Sequence, residues 1–121
     1  TTLFRSKLQT EKDKLQEFEK ELKETNKPIL VDFHADYCSS CKAMMPHFNA
    51  VSAQFKDLAV FMSVDIGALP EIAKKYHITK IPSILVFKDG ALAARFSKEM
   101  SKNEIHELAA QYVGQSPAKK E

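Results

Sequence analysis

Along the chain, apolar positions fall into short blocks whose spacing changes from helical to extended and back. Between Glu11 and Glu24, Leu15, Phe18 and Leu22 recur at i, i+3, i+7 among Glu and Lys, which predicts a helix packing one narrow stripe onto a sheet. Thr10 with Asp13 three residues on marks its start. Asn26-Lys27-Pro28 breaks it, and Ile29 to Phe33 follows as a nearly continuous apolar strand covered on both faces, interrupted by one charge, Asp32. A second helix is expected from about Cys38 to Phe55, its apolar face made by Met44, Met45, Phe48, Val51 and Phe55 and its course bent or interrupted by Pro46.

Leu58 to Asp65 reads as a strand, Leu69 to Tyr76 as a short helix, and Ser83 to Lys88 as a strand turned back through Asp89-Gly90 into Ala91 to Phe96. Ser101 with Glu104 opens a last helix carrying Ile105, Leu108, Ala109 and Tyr112 on one side, and Gly114 and Pro117 end it. With Thr2 to Ser6 as a first edge strand, the order is βαβαβαββα. This is an α/β fold with a central mixed sheet flanked by helices on both faces, over a single domain at 1–114 with a flexible tail at 115–121.

The 121 residues are 44% apolar, enough for a core without staples, and 18 Lys and Arg nearly balance 16 Asp and Glu. No overall basic field is available for nucleic acid or an anionic membrane, so partner choice falls to a local surface. No apolar run approaches the roughly 18 residues that read as a membrane span, and the first residues do not form a signal peptide. The cytoplasm is the expected compartment, with an organelle or the periplasm as alternatives because the chain does not begin with Met. Two thiols make half of a four-ligand zinc site, and His34, His47, His77 and His106 complete no finger spacing, so neither metal nor other cofactor is expected.

The chemistry concentrates in Cys38-Ser39-Ser40-Cys41, which lies between a buried strand and a helix. Two cysteines so close cannot close a long loop, so a stapling role is not indicated. At the helix N-terminus, free N–H groups and the dipole favour a thiolate on Cys38, with Lys42 adding positive charge. Cys41, inside the first turn, is near enough to attack a sulfur bonded to Cys38 and more shielded from solvent.

These residues resemble the thioredoxin family across nearly the whole length. Val31 to Lys42 followed by Pro46 is similar to the family's active-site segment, Lys80-Ile81-Pro82-Ser83 to its cis-proline loop, and Gly90 to the turn of its hairpin. The resemblance implies a thiol-disulfide oxidoreductase that reduces protein disulfides. Cys38 attacks the substrate disulfide and Cys41 resolves the mixed disulfide, and the redox-active Cys38–Cys41 disulfide is the only prosthetic element needed. Asp32 would take the Cys41 proton, since a carboxyl in an apolar strand has a raised pKa; the alternative is structural pairing with a nearby lysine. A cis bond at Pro82 would set the Ile81 backbone beside the cysteines to bind an extended substrate segment, with Tyr37 on the same surface.

Several residues depart from the family pattern. Ser39 and Ser40 replace the usual Gly-Pro, and their hydroxyls, by stabilising the thiolate, make the pair somewhat more oxidising. Tyr37 and His34 stand where tryptophans are common. His34 tunes the site with pH or is satisfied by neighbours and solvent. Lys98 replaces a glycine beside the site and either recharges the substrate surface or points away.

The partners implied are disulfide-containing clients and an upstream reductase or electron donor, with the chain acting as a monomer. An oxidant or isomerase of an oxidising compartment is the alternative within the same chemistry, and a thioredoxin-fold binding or assembly subunit is the alternative outside it.

Overall fold

The structure is a computed structural model and describes residues 11–114. The elements run α1 (Glu11–Glu24), β1 (Ile29–His34), α2 (Ser39–Gln54), β2 (Val60–Asp65), α3 (Pro70–Lys75), β3 (Ser83–Lys88), β4 (Ala91–Phe96) and α4 (Lys102–Val113). The sheet order is β2-β1-β3-β4, with β1 parallel to β2 and antiparallel to β3, and β3 antiparallel to β4. The strand expected at Thr2 to Ser6 and the helix cap expected at Thr10 lie outside the described residues.

Alternation along β1 divides the core in two. Ile29, Val31 and Phe33 join Phe18 and Leu22 of α1 and Ile72 of α3 on one face. Leu30 points to the other, where Met44, Phe48 and Val51 of α2 meet Ile105 and Leu108 of α4. Because both faces of β1 and β3 are covered, their runs are almost wholly apolar rather than alternating. The edge strand β4 is mostly exposed instead.

One boundary moved. Leu58 and Ala59 belong to the turn after α2, where both N–H groups donate to the Phe55 carbonyl, so β2 begins at Val60. An apolar pair read as strand is thus captured by the closing turn of the preceding helix, with Ala59 buried and Leu58 exposed.

Pro46 sits inside α2 without ending it. Asp89 and Gly90, both at positive φ, form the turn between β3 and β4, as the two-residue hairpin requires.

Candidate active site

The chain leaves β1 at His34 and turns through Ala35 to Cys38, whose N–H donates to the Ala35 carbonyl at 3.2 Å. Cys38 is the N-cap of α2, with extended backbone, and the Cys41 N–H donates to its Sγ at 3.1 Å. A sulfur therefore occupies the place where a capping oxygen commonly sits, accepting from a first-turn N–H that has no intrahelical partner and facing the positive end of the dipole. The pair is closed as a disulfide with Cα atoms 5.3 Å apart. Cys38 is half-buried and Cys41 only 2% exposed, so solvent and large substrates meet Cys38 first.

Ser39 is exposed and Ser40 half-buried in the first turn, Lys42 is exposed, and Tyr37 stands 81% exposed beside the disulfide.

Asp32 lies on the α2 face of β1, between Ser63 of β2 and Ile84 of β3. It is fully buried, and both carboxyl oxygens are without a hydrogen-bond partner. Burial pushes its pKa up from 3.8 to about 7. Among the described residues no lysine reaches it, since neither oxygen has a partner.

The register Phe33↔Ser83 sets the start of β3 at the sheet end where the cysteine turn leaves β1. The Ile81–Pro82 peptide just before it is cis, with Pro82 buried and Ile81 half-buried. The Ser83 hydroxyl donates to the Lys80 carbonyl at 2.5 Å and lies 3.3 Å from the Ser97 hydroxyl, joining this loop to the one after β4. From that second loop Lys98 turns toward α4 and pairs with Glu104 at 3.2 Å. Hydrogen bonding from the Ser101 backbone, then Lys98, lowers the Glu104 pKa. Farther along, the Met100 N–H donates to Met44 Sδ at 3.4 Å, fastening the loop to α2 one turn beyond Cys41.

Sequence reasoning missed a pocket of about 450 Å³ between the end of β1 and α2, lined by His34, Asp36, Cys41, Lys42, Met45 and Asn49 among others. Its signal was present in the helical spacing of Lys42, Met45, Pro46 and Asn49, a stripe separate from the buried Cys41, Met44, Phe48 and Val51. Met45 Sδ, 4.0 Å from the Ser63 hydroxyl, marks this as the β2 side of α2, opposite the side fastened to Met100.

Among the described residues no three His, Cys, Asp or Glu side chains gather as a metal-holding group, and no helix is long and apolar enough to cross a membrane.

Comparison with known proteins gives a consistent answer. The family model for thioredoxin matches residues 9–111. Thioredoxin Y2, chloroplastic, of Arabidopsis thaliana is 38% identical over 90 residues, which are 74% of this chain and 54% of that protein. For thioredoxin Y1, chloroplastic, of the same organism the identity is 33% and the shares are 82% and 58%, so the chain spans little more than half the length of these relatives. Thioredoxin of Mycoplasmoides gallisepticum is 39% identical over 73% of this chain and 87% of that one. The crystal structure of Fasciola hepatica thioredoxin superposes with a TM-score of 0.72 at 28% identity, covering 82% of this chain and 91% of that chain. The helix-capping disulfide and the buried carboxyl thus sit in a frame shared from end to end of the matched region, and this chain belongs to the thioredoxin family.

Proposed function

We propose that the chain is a thiol-disulfide oxidoreductase that reduces disulfides in client proteins. The observation that carries this reading is the unequal exposure of two bonded sulfurs at one helix N-terminus: Cys38 half-buried, Cys41 nearly closed off. In the reduced protein the Cys38 thiolate, favoured by the Cys41 N–H and the α2 dipole, attacks a client disulfide and releases one client thiolate. Cys41 then attacks Cys38 Sγ, the Cys38–Cys41 bond forms, and the second client sulfur leaves with its electron pair. Asp32, kept near neutral pH by burial, takes the Cys41 proton. A donor dithiol, supplied by an upstream reductase, returns the pair to its reduced state; no further cofactor enters, and one chain is enough for the cycle.

Tyr37, Ile81 and Pro82 form the client-binding surface around Cys38, on the β3 side of the site. Ser39, Ser40 and Lys42 set how strongly the Cys38 thiolate is stabilised. Lys98, held by Glu104, puts a charged rim next to that surface and narrows the range of clients. A reducing compartment suits this direction of electron flow, whether cytoplasm or organelle; the chloroplast designation of two relatives supports the organelle.

The direct test is a Cys41→Ser variant incubated with disulfide-bearing proteins. Clients stay covalently attached to Cys38 and are freed by dithiothreitol. A Cys41→Ser variant that captures nothing, together with a Cys38→Ser variant that still reduces disulfides, would remove the assigned roles.

A further inference from the structure

We propose that Glu104 stands in for a client carboxylate: it holds the Lys98 ammonium until a client with an acidic residue beside its disulfide takes that charge over. The chain thereby selects clients whose disulfides have acidic neighbours. The inference rests on the reading of the chain as a disulfide reductase with Lys98 next to its client surface, and it adds the client class and the residue that sets it.

Lys98 is placed by the residues on either side of it. One position earlier, the Ser97 hydroxyl lies 3.3 Å from that of Ser83, which directly follows the cis Ile81–Pro82 unit. Two positions later, the Met100 N–H donates to Met44 Sδ at 3.4 Å, one helical turn past Cys41. The loop is thus fastened to the cis-proline side and to the α2 side of the site, and Lys98 lies between the two fastenings. Its side chain is 58% exposed, and its ammonium has one partner among the described residues, Glu104 Oε2 at 3.2 Å.

The two members of this pair are not equally free. Glu104 is in the first turn of α4, where its other oxygen, Oε1, accepts from the Ser101 N–H at 2.9 Å. Its own N–H donates to Ser101 Oγ at 3.1 Å, so the cap fixes the carboxylate. Lys98 instead carries its charge on a long flexible stem with nothing else to hold it. The member able to turn toward a client is therefore the cation, and the client group it suits is an anion. Beside the pair, a groove of about 220 Å³ floored by Phe96, Met100 and Leu108 leaves room for client side chains next to Lys98.

The surroundings agree in sign. Exposed Lys42 on α2 and exposed Lys80 before Ile81 face exposed Asp36 and Glu99, so a released Lys98 leaves the rim with more positive than negative charges. Release costs little, because an exposed ion pair is screened by water and offset by the entropy of holding two side chains. A client carboxylate, kept close by the rest of its docked segment, competes with Glu104 at high effective concentration.

The test uses two cyclic peptides that share one intramolecular disulfide and differ only in Glu or Gln beside the cysteines. The reduced protein is mixed with each, and the ratio of the two rate constants, Glu peptide over Gln peptide, cancels any general loss of activity. Lys98→Gln lowers that ratio about two- to fivefold. Glu104→Gln, whose amide oxygen still accepts from the Ser101 N–H, raises it by a similar factor, because no resident carboxylate competes. In a Lys98→Gln background, Glu104→Gln moves the ratio no further. Both single changes fade at about 1 M salt, where the Debye length is about 3 Å. The proposal is overturned if Glu104→Gln keeps the parent ratio, or raises it as much without Lys98 as with it, which is a bulk charge effect and not a released lysine. If the parent reduces neither peptide, the disulfide-reductase reading fails instead, so the two failures are told apart.

Discussion

At the scale of single residues, the property that matters most is the cost of keeping Asp32 in an apolar strand. With a folded pKa of about 7 against an ordinary 3.8, the oxidised folded chain holds a proton that the unfolded chain has already released. Stability therefore falls as pH rises from about 4 to about 7 and levels off above, the sign opposite to that of a salt-bridged carboxylate. Asp32→Asn removes this dependence. Relative to the parent, the variant gains stability between pH 4 and pH 8 by an amount on the order of 4 kcal/mol at most, read from urea unfolding at the two pH values. A parallel pH dependence in both proteins would contradict the buried, unpartnered environment. The anomaly of Asp32 was legible in the sequence, because one charge in the run Ile29 to Phe33 has no structural motive; its lack of any lysine partner was not, since that depends on what the neighbouring strands present.

At the scale of elements, capping and packing are stated in different residues and respond differently to substitution. The α4 start is a reciprocal cap: the Glu104 N–H donates to Ser101 Oγ at 3.1 Å and the Ser101 N–H to Glu104 Oε1 at 2.9 Å. Ser101→Ala is expected to cost about 1 kcal/mol, seen as a lower urea midpoint at unchanged slope. Phe18 carries far more, being fully buried and edge-on to Tyr76 and Phe87 at 5.6 and 6.0 Å. Phe18→Ala should lose about 3–5 kcal/mol, whereas Glu19→Gln, which breaks the exposed pair with Lys75, should change stability by less than about 1 kcal/mol. A Glu19→Gln loss as large as that of Phe18→Ala would mean that α1 is held by charge rather than by its apolar stripe. Local signals such as these were readable from spacing alone. The pocket was not: its walls combine the end of β1 with a second stripe of α2, and only the packing of that helix over the sheet brings them together.

At the scale of the whole molecule, the sheet gathers three separate stretches of sequence at one end: the cysteine turn after β1, the cis-proline loop before β3 and the Ser97 loop after β4. Hydrophobic pattern gave the layers and most of the order, but it could not show that Lys98 would be drawn to Glu104 on α4, because that pairing is set by where the last loop crosses the helix start. The fold thus presents Cys38 outward with the closed-off Cys41 and the buried Asp32 behind it. Exchanging Ser39-Ser40 for Gly-Pro should lower the reduction potential, since it removes the first-turn hydroxyls that can donate to a Cys38 thiolate in the reduced protein.

The measurement that bears most directly on the central claim is the potential of the Cys38–Cys41 pair itself, by equilibration of the protein in defined glutathione buffers. A reductant should give a value much closer to the thioredoxin figure of about −270 mV than to the isomerase figure of about −180 mV. A value at or above about −180 mV would contradict the account and make the chain an oxidant or isomerase.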